Sequence, residues 1–467
     1  MDWSRTGRNV AGFAALVAVG VGVLYLRDPH SLLLPTLYTE DGAWMATLFN
    51  RGFWHTLIHA KGGETPYFVT LNILLLQAAK SLNAVCYGAS LAHLPQFVSA
   101  LAMTFYGVLA AAPVWLLRGR LTASSRGLLW LLVIFMPLGE SSFEILGRVS
   151  NIGYGLLVLC VCLLAWRRAA DRGHVRPIMA ADAAVFVCAV TNPLCFPVIA
   201  ADYALRGLQA RRSGVALAAM LRCSAAARSA AVLAVALGCA VAGMATLEPR
   251  PSPFLRDRLD ADSLIEAVVA RPLLFPLLFP IYGRLDDGAA VTIAVGMVML
   301  AWWLTREAPA TGRFVLATGL TSWYAAMATV AERPGLTVIL DEYSTTRIDR
   351  YYYGTSLLVA VAACAAISAG RRAGSGLRRG VAAACMGLIV SVYATHGDLL
   401  QEFRRSRWRD VPQHDFVTAV VMAAATAQGE HAGRVQVQLH PRGWQARFPA
   451  ANVRATAVAA AEGAVRR

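Results

Sequence analysis

Apolar runs of roughly 15–20 residues return along the whole chain, each long enough to cross a bilayer as a helix. Hydrocarbon offers no partner to a backbone N–H or C=O, so such runs must satisfy their hydrogen bonds internally. The class that follows is an all-α polytopic membrane protein. Composition agrees: only 15% of the 467 residues are charged and mean hydropathy is +0.52, where a soluble domain carries about a quarter charged residues. The first run, Val10 to Leu26, has the length of a secretory signal. No small-residue cleavage site follows it and further spans do, so it reads as a retained first helix.

On a soluble protein the net charge of +15 would suggest a nucleic-acid partner. Here the clusters Arg5/Arg8, Arg118/Arg120/Arg126, Arg167/Arg168/Arg172/Arg176, Arg206/Arg211/Arg212/Arg222/Arg228, Arg306/Arg313 and Arg371/Arg372/Arg378/Arg379 sit in short connections. Placing them all in the cytoplasm gives one consistent threading, with a cytoplasmic N-terminus and no nucleic acid. The acids collect in the alternate connections, among them Asp28, Glu40, Asp41, Glu64, Glu140, Glu144, Glu266, Asp287, Glu332, Asp341 and Glu342. Acids contribute little to orientation, so this enrichment points to an outer face where binding or chemistry occurs. Nine cysteines without a CxxC pair, mostly in or beside apolar runs, argue against a zinc site and a disulfide framework. The Ala- and Arg-rich composition points to a bacterial inner membrane.

The threading draws spans near 10–26, 67–82, 93–117, 127–140, 151–166, 178–191, 193–206, 229–247, 289–305, 313–331, 353–370 and 380–396. The stretch 67–117 must cross an odd number of times yet holds two apolar runs. One of them is therefore broken or re-entrant, which gives about 11–13 crossings in all. The hairpin turning at Thr191-Asn192-Pro193 has halves short for a bilayer, and "RPLLFPLLFPIYG" (Arg271 to Gly283), with three prolines, is expected at the outer membrane surface. Residues 1–396 read as the transmembrane domain, with 27–66 its first periplasmic loop. Residues 397–467 read as a small polar α/β appendage on the outer side, where "DFVTAVVMAAATAQG" suits a helix and "RVQVQLHPRGW" alternates like a strand. Arg404, Arg405, Arg407 and Arg409 are unusual for an outer location.

The first loop opens with "LYTEDGAWMATLFNRGFW". Thr39 is placed to cap a helix whose first turn carries Glu40 and Asp41, where acids complement the dipole. Trp44, Met45, Leu48, Phe49 and Phe53 share one face while Thr47, Asn50 and Arg51 share the other, the pattern of an interfacial helix broken near Gly52. On capping and dipole grounds the two acids simply start that helix. A functional role comes from their surroundings: Lys61 on the same loop, and the aromatic residues Trp44, Trp54 and Tyr67 at the depth of lipid headgroups. A carboxylate can take the proton from an attacking hydroxyl or amide, and cations can hold the charge of a departing lipid phosphate.

With these residues the chain resembles the GT-C superfamily of polytopic glycosyltransferases, related in architecture to the aminoarabinose and protein mannosyl transferases. The shared pattern is an acidic pair at the outer end of the first helix, interfacial helices in a long first loop, and a return helix. Glu40-Asp41 matches the acidic pair, which implies that Asp41 acts as base with Glu40 supporting it or helping to bind a divalent cation, the one cofactor this resemblance admits. Lys61-Gly62-Gly63-Glu64-Thr65-Pro66-Tyr67 loosely matches the Lys-Pro-Pro-Leu-like end of that loop, and Arg350-Tyr351 in "TTRIDRYYYG" matches the Arg-Tyr pair of a late outer loop. The resemblance thus implies Lys61, Arg350, Tyr351 and, beside them, Arg148 as substrate-binding residues. It implies a polyprenyl-phosphate sugar donor and a cell-envelope glycan, lipid or protein acceptor, with hexosyl or pentosyl transfer.

Other features have plainer explanations beside functional ones. Arg148 suits an ion pair with Glu140 or Glu144 as well as a phosphate contact, and Tyr351–Tyr353 suit an aromatic belt. Asp262 is placed to cap the helix after it. His55 and His59 have metal-ligand spacing but lack the glutamate of HExxH. Asp182 and Asp202, inside apolar runs, suit pairing with Arg176 and Arg206. A flippase or transporter of a lipid-linked sugar would use the same groove and cations without a base. Acids crowding the outer loops rather than mid-membrane favour the enzyme.

Overall fold

The computed structural model describes residues 3–33, 36–62, 67–138, 145–169, 175–212, 225–246, 259–340, 343, 349–395, 416–426, 433–440 and 443–465. Glu64, Glu140, Glu144, Asp341, Glu342, Arg347 and Arg404–Arg409 lie outside them. The first half of the chain comprises α1 (Trp3–Arg27), α2 (Thr39–Arg51), α3 (Phe53–His59), the hairpin β1 (Lys61–Gly62) and β2 (Tyr67–Phe68), α4 (Thr70–Tyr87), α5 (Leu94–Leu116), α6 (Ala123–Ile134), α7 (Gly153–Ala169), α8 (Val175–Thr191) and α9 (Cys195–Arg212). The second comprises α10 (Ala225–Ala245), α11 (Glu266–Arg284), α12 (Asp287–Thr305), α13 (Pro309–Glu332), α14 (Asp349–Arg372), α15 (Gly376–Thr395), α16 (Phe416–Thr426), β3 (Arg434–Gln438), β4 (Gln445–Pro449) and α17 (Ala450–Val465). Among the described residues, 8 helices are long and apolar enough to cross a membrane. The protein is an all-α polytopic membrane protein.

Contacts at the helix ends order the bundle between a near end, which carries α2, and a far end. At the near end Arg27 donates to the carbonyls of Ile134 and Met136 (both 2.8 Å), Asn192 to Gly153 (2.9 Å), and Phe68 lies under Gly243. At the far end Thr122 N–H donates to Ser368 (2.8 Å), Arg372 to Arg120 O (3.2 Å), and Arg378 pairs with Glu307 (2.6 Å). By these contacts α1, α5–α10 and α12–α15, eleven helices, alternate in direction. The described arginines of the sequence clusters gather at the far end.

Two apolar stretches do not traverse. α4 begins where Leu71 N–H meets Thr191 Oγ1 (3.1 Å) and Asn72 donates to Val149 O (2.6 Å), and it ends where Asn452 donates to Ala89 O (2.7 Å), all at the near end. It also carries Lys80, which donates to Leu48 O on α2 (2.8 Å), and the buried Asn83. Asn72 and Lys80 find carbonyls on the 149–150 turn and on α2, and Asn83 one at Ser90 (2.7 Å), so the span expected at 67–82 is a near-end helix instead. α11 likewise returns to the end it leaves: Glu266 meets Tyr282, and Tyr343 reaches both Glu266 and Asp287. Its proline-broken course is π-helical over Glu266–Leu274 and 3-10 over Phe279–Arg284.

Burial separates the helices by role. The membrane-length window of α14 is 89% buried, whereas those of α1, α10 and α15 are 17% buried and present apolar surface to lipid. Small residues permit the close approaches: a Cβ on Gly354 of α14 would lie 2.4 Å from Tyr154 O, and one on Gly107 of α5 would lie 3.0 Å from Val17 O.

After α15 the chain returns at the near end. β3 and β4 pair antiparallel, with Val435 opposite Phe448 and Val437 opposite Ala446. These four are buried on the face that packs on α16, while Arg434, Gln436, Gln445 and Arg447 are exposed on the other. The unit docks on the first loop and on the α4–α5 turn. Thr39 N–H donates to His440 O (2.8 Å), His440 N–H to Leu37 O (3.1 Å), and Leu91 N–H to Thr456 Oγ1 (2.7 Å). Leu439 Cδ1 lies 2.5 Å from where a Cβ on Gly42 would sit, so a larger residue at 42 would have to push the Leu439 side chain aside.

Candidate active site

α2 places the acidic pair in its first turn. Thr39 is not its cap, as the sequence suggested: Tyr38 holds the N-cap position without a side-chain bond, and the Thr39 hydroxyl donates to Glu40. The Thr39 N–H donates to His440 O. Asp41 turns inward and is 1% exposed. Its Oδ2 accepts from Val149 N–H (3.1 Å), while Oδ1 is buried with no hydrogen-bond partner among the described residues. Burial pushes the carboxyl up from 3.8 to about 7; Arg148, the 149 and 150 amides, and Glu40 act as smaller opposing and reinforcing influences.

Arg148 is also buried, donates to Thr36 O (2.9 Å) and lies over the Tyr38 ring (5.3 Å). Burial lowers its pKa against the pull of Asp28, Asp41 and Tyr38. Desolvation thus presses both Asp41 and Arg148 toward their neutral forms. Tyr38 also feels Arg350, which brings the two loops together, and burial raises its hydroxyl pKa.

Arg350 donates to the Tyr351 hydroxyl (3.2 Å) and lies 4.8 Å from that ring's centroid. Arg333, just after α13, lies 4.7 Å from the same centroid, and Tyr154 meets Tyr351 edge-on at 5.8 Å. Tyr67 sits in the field of Arg333, Glu332, Glu40 and Tyr351. The structure therefore joins Glu40, Asp41, Arg148, Arg350 and Tyr351 in one cluster. Lys61 is on the hairpin strand paired with Tyr67–Phe68, at the edge of that cluster.

Two features escaped the sequence reading. Arg333 shows the same oddity as Arg350, an arginine at the near end of an apolar helix, and makes no ion pair among the described residues. The second is Glu266, which accepts from Arg271 (3.0 Å), the Tyr282 hydroxyl (3.2 Å) and Tyr343 N–H (3.2 Å). Tyr343 is the one non-glycine residue with positive φ (61°) among those described, and Glu266 fixes it a few residues ahead of Arg350. An i,i+5 pair diverges on an α-helix, and the π-helical winding that unites Glu266 with Arg271 is not visible in sequence.

The remaining candidates resolve into structure. Asp182 pairs with Arg167 on α7 (3.0 Å) and accepts from Ser229 (2.6 Å); the Arg176 side chain expected beside it lies outside the described residues. Asp202 pairs with Arg206 (2.6 Å) and Arg168. Asp260, not Asp262, closes the turn before α11, accepting from Asp262 N–H and the Ser263 hydroxyl (both 3.1 Å). His55 and His59 stack on each other (4.1 Å), with no third ligand among the described residues. Among the described residues no group of three or more His, Cys, Asp or Glu could hold a metal. Among the described residues, Glu40 and Asp41, with one Asp41 oxygen taken by an amide, do not by themselves make a three-ligand metal site.

No protein-family profile matches the chain, and no characterised protein matches it by sequence. Among solved structures it is similar to the Archaeoglobus fulgidus oligosaccharyltransferase in complex with zinc and sulfate, with 14% identity and a TM-score of 0.43 over 88% of this chain. It is similar too to the archaeal oligosaccharyltransferase AglB from Archaeoglobus fulgidus with an inhibitory peptide and a dolichol-phosphate, with 14% identity and a TM-score of 0.40. The chain spans 55% and 58% of their lengths. At that degree of likeness, fold and site rest on this chain's own residues.

Proposed function

We propose that the protein is a membrane glycosyltransferase of the GT-C type, moving a sugar from a polyprenyl-phosphate donor to a cell-envelope acceptor at the near end of the bundle. One observation carries this: Asp41, a buried carboxylate with an oxygen that has no hydrogen-bond partner among the described residues and a pKa near neutrality, in a cluster that also holds three arginines. In the proposed step the acceptor's hydroxyl or amide attacks the anomeric carbon, its proton passes to Asp41, and the sugar–phosphate bond breaks. Arg333 and Arg350, braced on Tyr351, take the charge of the departing phosphate, with Lys61 at the edge. Arg148, bound to Thr36 O, positions Asp41 rather than substrate. The gathering of arginines at the far end supports a cytoplasmic far end and an outward-facing site.

The two described intramembrane acids favour this over a transporter, since Asp182 and Asp202 are already paired with arginines. The test is transfer by membranes containing wild type or Asp41→Asn, offered a panel of labelled polyprenyl-phosphate hexoses and pentoses. Loss of the general base predicts a drop of about 10²–10⁴-fold. Transfer at the wild-type rate by Asp41→Asn overturns the assignment.

A further inference from the structure

A groove of about 530 Å³ separates the C-terminal unit from α2 and α3, with Thr47, Asn50, Arg51, His55, Arg434 and Arg447 in its lining. The three arginines come from three elements: the last turn of α2, the start of β3, and β4. The hairpin register sets Gln436 opposite Arg447, so Arg434 and Arg447 project from the same exposed face. Asn50 fixes that face against the helix by donating to Arg447 O (2.6 Å) and Ala46 O (2.7 Å). Among the described residues no carboxylate lines the groove and none of the three arginines forms an ion pair.

Three like charges held around one concavity repel each other, and an anion between them relieves the repulsion. The planar guanidinium fork matches a phosphate's paired oxygens. The neighbourhood says which anion. On α3, Trp54 is 72% and Ile58 55% exposed, four residues apart on one face, directly beside the groove-lining His55. An apolar stripe with an aromatic residue next to a basic hollow is the pattern of a helix seated among lipid headgroups.

We propose that this groove is a binding site for the phosphate of an anionic phospholipid headgroup, which ties the C-terminal unit to α2 at the membrane surface. The site stands apart from Asp41 and does not depend on the transferase assignment. A soluble phosphate-bearing molecule offers the same chemistry, so the test separates the two sources. Wild type and the triple variant Arg51→Gln, Arg434→Gln, Arg447→Gln are purified in mild detergent and titrated with phosphatidylglycerol or phosphatidylcholine, with bound lipid read by native mass spectrometry. The thermal midpoint is then compared in phosphate and in chloride at equal ionic strength.

Each arginine near an anionic surface contributes roughly fivefold in affinity, so the triple variant is expected to lose roughly a hundredfold for phosphatidylglycerol and nothing for phosphatidylcholine. Stabilisation by inorganic phosphate that the triple variant lacks, without preference for phosphatidylglycerol, overturns the lipid as occupant. Equal binding by both proteins in both assays overturns the site. The three side chains are exposed and pack in no core, and Arg51→Lys, Arg434→Lys, Arg447→Lys serves as a charge-preserving control. If the glutamine variant does not fold, wild type titrated with the two lipids decides, and equal affinity for both overturns the proposal.

Discussion

Asp41→Asn separates the cost of the buried carboxyl from its use. Asp41 ionises near 7 in the folded protein against 3.8 ordinarily, a gap of about three units at ~1.4 kcal/mol each. Because the folded pKa is the higher one, the folded state holds the proton more tightly. The resulting stability is fully present below about pH 4 and is lost as pH rises through about 7, some 4 kcal/mol in all. Asparagine is neutral throughout: its carbonyl can accept from Val149 N–H, while its amide replaces an oxygen that already lacks a partner. That buried amide costs about 1–3 kcal/mol at every pH. The variant should therefore gain on wild type by about 4 kcal/mol between pH 4 and pH 8, and at pH 8 be the more stable protein while inactive. Thermal midpoints of both proteins, taken in one detergent across that range, supply the difference, in which all other titrations cancel. A difference that stays flat from pH 4 to pH 8 refutes the buried, proton-retaining Asp41.

Other perturbations follow from the packing. Arg271→Ala leaves Glu266 buried without its cation and should destabilise by about 3–5 kcal/mol, while Glu266→Gln, which keeps hydrogen-bonding capacity, costs less; denaturation midpoints in detergent read both. Gly354→Val forces α14 away from Tyr154 O, which a Cβ would approach to 2.4 Å, and should lower expression and thermal midpoint together. The rate of transfer should rise with pH through a limb near 7 as Asp41 ionises, and a limb placed between pH 4 and 5 would contradict the buried base.

Much of the near end was legible in sequence because it is local. The apolar period and Gly52, which has φ 81°, mark the break between α2 and α3, and Asn192 marks the α8–α9 turn. The prolines of α11 signal a segment that does not cross. Apolar runs and arginine distribution together drew twelve spans, eleven of which are the helices that alternate in direction, and marked 67–117 as the doubtful place. What sequence could not show depends on residues far apart in the chain. Asp41 is buried because Val149, 108 residues away, offers it an amide. α4 lies at the near end because Lys80 and Asn72 find carbonyls on other elements. The C-terminal unit meets the acidic loop through the backbone of His440 and through Leu439 and Phe448 against Gly42 and Phe49, contacts about 400 residues apart in the chain. Arg333 carried a signal, since an arginine at the α2 end of a helix runs against the orientation rule, but only its stacking on Tyr351 ties it to Arg350.

The measurement that bears most directly on a lipid-phosphate site beside Asp41 is native mass spectrometry of the protein purified in mild detergent, read for a bound polyprenyl phosphate. Wild type is compared with Arg333→Ala, Arg350→Ala and Lys61→Ala. Retention by wild type with loss in the two arginine variants is the expected result, and the mass of any attached sugar then identifies the donor. Wild type that holds other lipids but no polyprenyl phosphate, or variants that hold it equally well, would contradict the account.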